Sequence, residues 1–286
     1  MRKLISAMLL VLLFHTLAAA ASSVWKAEKG DSVIYLGGTF HMLRDKDYPL
    51  PPEFQQAYAA ADLIVFETDI GQLNDVSMQQ KVFAKARYAD GATIDRYLSA
   101  RTMDLLTEYC RTNGIPLHTL KQFKPSLIMV AITMTELIKV GVSKSGVDKY
   151  YYEQAVRAGK QTTAFETVEQ QVEFSANMAD GHEDAFVLHA LDDLKHIRQQ
   201  FEELVGAWRS GNEEQLERLM VRDFKSRYPA LYRRLIVDRN RNWMPLIDKH
   251  LQTDRVEFVM VGAGHLVGQD GIIEKLRQKG YRVEQL

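Results

Sequence analysis

Two short stretches constrain this chain more than any others: Gly38-Thr39-Phe40-His41 near its start and Gly262-Ala263-Gly264-His265 near its end. Each has the form Gly-x-x-His. Each follows a β-branched, apolar run, Val33-Ile34-Tyr35-Leu36 in the first case and Val256-Glu257-Phe258-Val259-Met260-Val261 in the second. A histidine a few residues past a buried strand lies where α/β sheets gather their chemistry, in the crevice at the carboxyl edge. Glycine, having no Cβ, lets the backbone turn sharply there. The repetition predicts two strands that bring two histidines to one site.

The remaining strand signals also cluster toward the ends. Residues 23–27 and 32–36 flank a Glu-Lys-Gly-Asp turn and read as a β-hairpin. Leu63-Ile64-Val65-Phe66 is a fully apolar strand of the parallel-sheet kind, and it delivers Glu67 and Asp69 to the same edge as His41. Thr162-Thr163-Ala164-Phe165 resembles a strand presenting Glu166, and Tyr281-Arg282-Val283 a last one. From about residue 78 to 250 the period is mostly helical, with one continuous helix expected over 228–251. The expected fold is α/β in the α+β sense: a central mixed sheet built from the N- and C-terminal segments, with a large helical middle. One domain over residues 22–286 with a helical insertion is the economical organisation.

Arg2 and Lys3, the apolar run 4–17 and Ala18-Ala19-Ala20-Ala21 have the layout of a secretory signal peptide over residues 1–21. This predicts a periplasmic or secreted protein with no stable membrane insertion after cleavage. The 36 basic and 37 acidic residues contain no basic block, which gives no footprint for nucleic acid. A single cysteine cannot pair internally, so Cys110 is expected as a small core residue against Leu105, Leu106 and Ile115.

His41, Glu67 and His265 each follow a predicted strand. Two imidazoles and a carboxylate form a three-ligand set that leaves positions open on a divalent ion. Taken singly, each histidine is equally a polar residue satisfying backbone groups; the matched pair with Glu67 favours a site. His182, His189 and His196 recur every seven residues, about 10 Å of helical rise, too far for one ion. They read as a packing or solvated face, and His118 and His250 as structural. Arg239 and Asn240 lie in a dense polar run, either an exposed helix face or a fork for a carboxylate or developing oxyanion. Glu166 is a ligand, a base or a buried acceptor, and Asp148 reads as a helix N-cap. The chain contains no His-Glu-x-x-His, Gly-x-Ser-x-Gly, P-loop or Gly-x-Gly-x-x-Gly motif.

In this order, seven pieces resemble the TraB/GumN family, which includes the PrgY pheromone-shutdown proteins and is related to the Tiki metalloproteases. They are Tyr35-Leu36-Gly37-Gly38-Thr39-Phe40-His41, Ile64-Val65-Phe66-Glu67-Thr68-Asp69, Gly146-Val147-Asp148, Ala164-Phe165-Glu166-Thr167 with Gln170-Gln171, Ala207-Trp208-Arg209-Ser210-Gly211-Asn212, Asp238-Arg239-Asn240 with Trp243, and Val261-Gly262-Ala263-Gly264-His265-Leu266. Relatives commonly carry Gly-Asp where this chain has Gly211-Asn212. The resemblance implies a fold similar to erythromycin-esterase and ChaN-like proteins, with both Gly-x-x-His motifs at one cleft. For the Tiki branch it also implies peptide-bond hydrolysis with a divalent ion such as manganese or cobalt. His41 and His265 would then be metal ligands or catalytic histidines, and Glu67 a ligand or general base. Arg239 and Asn240 would hold substrate or its oxyanion, with Glu166 a further acid.

The expected function is an exported hydrolase, a peptidase using manganese or cobalt, with zinc or iron as other candidates. Two alternatives stand beside it: a protein that sequesters a peptide or small ligand without cleaving it, and a metal-free hydrolase with His41 as general base.

Overall fold

The computed structural model describes residues 22–73, 75–89 and 91–286; the expected signal peptide lies outside the described residues. In chain order the strands are β1 Val24–Lys29, β2 Ser32–Thr39, β3 Met42–Arg44, β4 Leu63–Thr68, β5 Val142–Ser145, β6 Gln161–Glu166, β7 Glu257–Gly262 and β8 Arg282–Gln285. Six of them form one mixed sheet in the order β6-β4-β7-β2-β1-β8, and β3 pairs with β5 in a separate ribbon. β6, β4, β7 and β2 run parallel, while β1 and β8 are antiparallel additions on one side. All six residues of β4 are buried. That is why its sequence is an unbroken apolar run rather than an alternating one: an interior parallel strand is covered on both faces.

The parallel register fixes the site. Thr39 pairs with Gly262, Phe66 with Met260, and Thr68 with Glu166. The carboxyl ends of β2, β7, β4 and β6 therefore lie side by side, and His41, His265, Glu67 and Glu166 emerge along one edge. The longer helices include α1 Pro52–Ala60, α2 Ala100–Thr112, α3 Pro125–Lys139, α4 Val147–Ala158, α5 Val168–Ala176, α6 Glu183–Asp193, α7 Ile197–Arg209, α8 Asp238–His250 and α9 Ile272–Gln278. Among the described residues no helix is long and apolar enough to cross a membrane.

The sheet core is aromatic. Phe54 of α1 stacks on Tyr151 of α4 at 6.2 Å and tilts against Trp208 of α7 at 5.6 Å. The Trp208 indole donates to the carbonyl oxygen of Gly38 at 2.7 Å, tying α7 to the first Gly-x-x-His motif. The helical middle has a second hydrophobic cluster containing Leu106, Cys110, Ile128, Ile132 and Val187. Cys110 is buried there with Leu106 and Ile115 as expected, but Leu105 is exposed, because it falls on the solvent side of α2. Burial pushes the Cys110 thiol up to about 11, which suits an inert core residue.

Two local expectations change. The helix expected over 228–251 is interrupted by a π-turn over Arg233–Val237, so α8 begins at Asp238. Beyond that turn Asn240, Trp243, Met244 and Ile247 form a buried stripe at helical spacing. The glycines of the two motifs also act otherwise than expected. None of Gly38, Gly262 and Gly264 has a positive φ. Their role is close approach: a Cβ on Gly38 would stand 3.1 Å from the Ala263 Cβ, so the two motifs pack directly against each other.

Gly146 serves the same purpose more tightly. A Cβ there would lie 1.9 Å from the Phe40 carbonyl oxygen, and the Val147 amide donates to that oxygen at 2.9 Å. This contact docks the start of α4 on the β2–β3 turn. Gly146→Ala must part that contact and is expected to cost about 2–3 kcal/mol in urea unfolding. A variant as stable as the wild type would show that the contact is not close.

Candidate active site

Each site residue is placed by a different element and all meet at the carboxyl edge. Arg239, on the first turn of α8, is the centre. Its Nη2 donates to Glu67 Oε2 at 2.6 Å and to Glu166 Oε2 at 2.9 Å, its Nε donates to Glu166 Oε1 at 2.8 Å, and its Nη1 lies 3.1 Å from His265 Nε2. The guanidinium also lies over the Trp243 ring at 4.6 Å. Such bidentate, stacked geometry is specific to arginine. Its side chain is 13% exposed, and the two carboxylates hold its pKa above the usual value although burial works against the charge.

His265 is buried, and its tautomer follows from its neighbours. The Asn240 Nδ2 donates to two carbonyl oxygens, those of His265 at 3.0 Å and Asp270 at 2.9 Å. Its Oδ1 must therefore face His265 Nδ1, 2.8 Å away, and accept a proton from it. The ring is a neutral Nδ1–H imidazole whose Nε2 lone pair meets Arg239. Burial, with smaller contributions from Arg239 and His41, lowers its pKa to about 3 against the pull of Glu67.

Glu67 receives the Gly262 amide on Oε1 at 2.6 Å, and a Cβ on Gly262 would be 3.2 Å from that oxygen. Burial alone would raise its pKa. His265, Arg239, His41 and the Gly262 N–H outweigh it and bring the carboxyl to about 2. Because His265 is itself neutral above about 3, the charge that keeps Glu67 ionised at ordinary pH is chiefly that of Arg239.

His41 lies across the cleft. Its Nδ1 is 3.0 Å from Asp148 Oδ2, and a carboxylate only accepts, so Nδ1 carries a proton and Nε2 is left to the cleft. The Asp148 hydrogen bond raises the His41 pKa to about 9. The ring is nonetheless 70% open to the water of the cleft, which screens the pair. Asp148 is thus more than the expected N-cap: Gly146 occupies the cap position, and the carboxylate two residues on turns to His41. A cavity of about 360 Å³ runs between these groups, lined by His41, Glu67, Thr68, Asp148, Gln171 and Arg239 among others. Thr68 Oγ1 and Asp148 Oδ1 are buried there without a hydrogen-bond partner.

The sequence-derived set is therefore brought to one edge, with distinct roles. Glu67 and His41 line the central cavity. Glu166 has both oxygens committed to Arg239, and Oε1 also accepts from the Trp243 indole at 2.9 Å. Asn240 is fully buried and holds His265, so it does not face substrate. Glu67 Oε2 and His265 Nε2 both accept from Arg239. Among the described residues no three His, Cys, Asp or Glu side chains stand ready to hold one metal ion. Among the described residues, His189 packs edge-on against Tyr228 and His250 pairs with Glu257 at 3.4 Å, away from the cleft.

Fold and site together define an α/β protein with a charged, histidine-bearing cleft at the carboxyl edge of a parallel sheet. The chain belongs to the TraB/PrgY/gumN family, whose model matches residues 23–285. No curated protein and no solved structure matches it.

The His265 geometry sets a pH dependence. Its folded-state pKa of about 3 lies below the ordinary 6.5, so the unfolded chain takes the proton first as pH falls. The stability it confers is complete above 6.5 and lost as pH falls toward 3. Glu67 adds to the loss only below 4.5. The urea midpoint of the wild type is expected to drop more steeply between pH 6.5 and 4.5 than that of His265→Gln. Parallel slopes would mean that the ring is charged in the folded chain.

Proposed function

We propose that this chain is an exported hydrolase that cuts the amide bond of a peptide in the carboxyl-edge cleft, assisted by a divalent ion held by His41, Glu67 and His265. The observation that carries the reading is the matched anchoring of the two histidines. Each has Nδ1 engaged by a side-chain oxygen, Asp148 Oδ2 for His41 and Asn240 Oδ1 for His265. That leaves Nε2 as the atom each would offer an ion, His41 after losing its second proton, and such anchoring orients metal-binding imidazoles. The donor set thus fits a divalent ion in kind, and the unpartnered Thr68 Oγ1 and Asp148 Oδ1 in the same cavity suit a polar ligand. Arg239 now takes two of the three donors, so an ion competes with the guanidinium for them.

A bound manganese, cobalt, zinc or iron ion would polarise a carbonyl and lower the pKa of a water molecule. The chain supplies the rest. Arg239, fixed by Glu166, presents positive charge where a carbonyl oxygen gains negative charge. Glu67 stays an ionised carboxylate through the working pH range, which suits a ligand to a cation, while its pKa of about 2 makes it a weak base. Export rests on the composition of residues 1–21.

A second reading, metal-free hydrolysis, is favoured by the occupation of Glu67 and His265 by Arg239 and by the His41–Asp148 pair. In that case His41 is the general base. Its raised pKa keeps it protonated at neutral pH, so activity would climb as pH approaches about 9.

Metal titration of the purified mature chain separates the readings. Uptake of one divalent ion is expected, abolished in His41→Ala/His265→Ala and weakened about 10- to 100-fold in Asp148→Asn, with cleavage of a peptide library lost on chelation. Cleavage that survives chelation and rises toward pH 9 would replace the metal reading with the second one. Saturable peptide binding with no product would make the protein a sequestering module.

A further inference from the structure

His41 is a wall shared by two cavities. One is the charged cleft with Glu67 and Arg239; the other, of about 480 Å³, opens beside the imidazole and is apolar at its base. Its floor comprises Phe40 and Met42, which flank His41 in the chain, Leu137 of α3, and Ile197, Phe201 and Leu204 of α7. The three α7 residues follow the i, i+4, i+7 spacing of one helix face. The floor is rigid. Phe201 lies under the buried Arg44 guanidinium at 4.9 Å, and Phe40 rests on Trp208 at 5.8 Å. Polar groups are confined to a few positions, Thr133, Asp193 and Gln200, besides His41 itself. This is the composition of a ligand pocket: an apolar body with few polar groups to orient what enters.

Continuity decides the occupant. A group in this pocket touches the same imidazole that faces the charged cleft, so it is joined by a short link to whatever lies against Glu67 and Arg239. We infer that the pocket is a specificity subsite for a large apolar side chain, aliphatic or aromatic, on the residue adjoining the amide bond held in the cleft. The inference rests on the peptide-cleaving reading and adds the substrate class to it. Apolar pockets of this kind discriminate by about 10- to 200-fold per methylene-sized difference.

The test uses the mature chain and acetylated tetrapeptide amides that differ at one position, Phe, Leu, Ala or Asp. Binding is followed by calorimetry and cleavage by chromatography. Ala190 lines the pocket from α6 and neither it nor Leu204 touches the charged cleft. Ala190→Phe fills the pocket and Leu204→Gln makes it polar. Wild type is expected to bind the Phe and Leu peptides at least about tenfold more tightly than the Ala peptide. Both variants are expected to lose that preference while treating the Ala peptide as wild type does. Asp148→Asn is expected to lose cleavage and keep the preference. Cleavage with no apolar preference, or a preference untouched in both variants, would overturn the subsite and leave the hydrolase reading standing. Apolar preference in binding with no cleavage would sink the hydrolase reading and retain the pocket. Tighter binding of decanoate than of any peptide would overturn the subsite in favour of an acyl-chain site.

Discussion

The site depends on one guanidinium. Arg239 is the cation between the carboxylates of Glu67 and Glu166 and the Nε2 of His265. Two nearly buried carboxylates on neighbouring strands repel each other unless a positive charge stands between them. Arginine is suited to this because its planar fork serves several acceptors at once and its charge persists when desolvated. Around it the polar groups form a closed set: Trp243 completes Glu166, Gly262 completes Glu67, and Asn240 fixes the far side of His265. Removing one member of such a buried set leaves a charge or a lone pair uncompensated, which costs more than the pair itself is worth.

The arrangement also divides the cleft by charge. On the Arg239 side sits a neutral histidine, and on the opposite side one that is protonated and held by Asp148. The same residue type is driven in opposite directions, one by burial and the other by a carboxylate. Sites that separate the protonation of like groups in this way can give and take protons at one pH.

Much of this was legible in the chain. The runs before His41, Glu67 and His265 read as strands because parallel interior strands are apolar without alternation, the edge strand before Glu166 reads from its β-branched threonines, and all four are found in the sheet. What sequence reasoning missed has physical causes. Asp148 looked like a helix cap, since an acidic residue at a helix start is ordinarily bonded to its own backbone. Only the approach of Gly146 to Phe40, a long-range contact, turns it toward His41. Asn240 and Arg239 are adjacent and equally polar, yet one holds a histidine from behind and the other fills the site. Adjacent residues of a helix point about 100° apart, which gives the two their separate surroundings, and no periodicity in 228–251 announced the π-turn before α8. The glycines were expected to bend the chain and instead let two strand ends touch.

Histidine ¹⁵N NMR on residues 22–286 tests the central claim, that burial beside Arg239 keeps His265 neutral while the Asp148 carboxylate keeps His41 charged. At pH 7 His265 is expected to be neutral with its proton on Nδ1 and to remain so at pH 5, and His41 to be an imidazolium at pH 7. A His265 carrying its proton on Nε2, or charged at pH 5, would contradict the roles assigned to both Asn240 and Arg239.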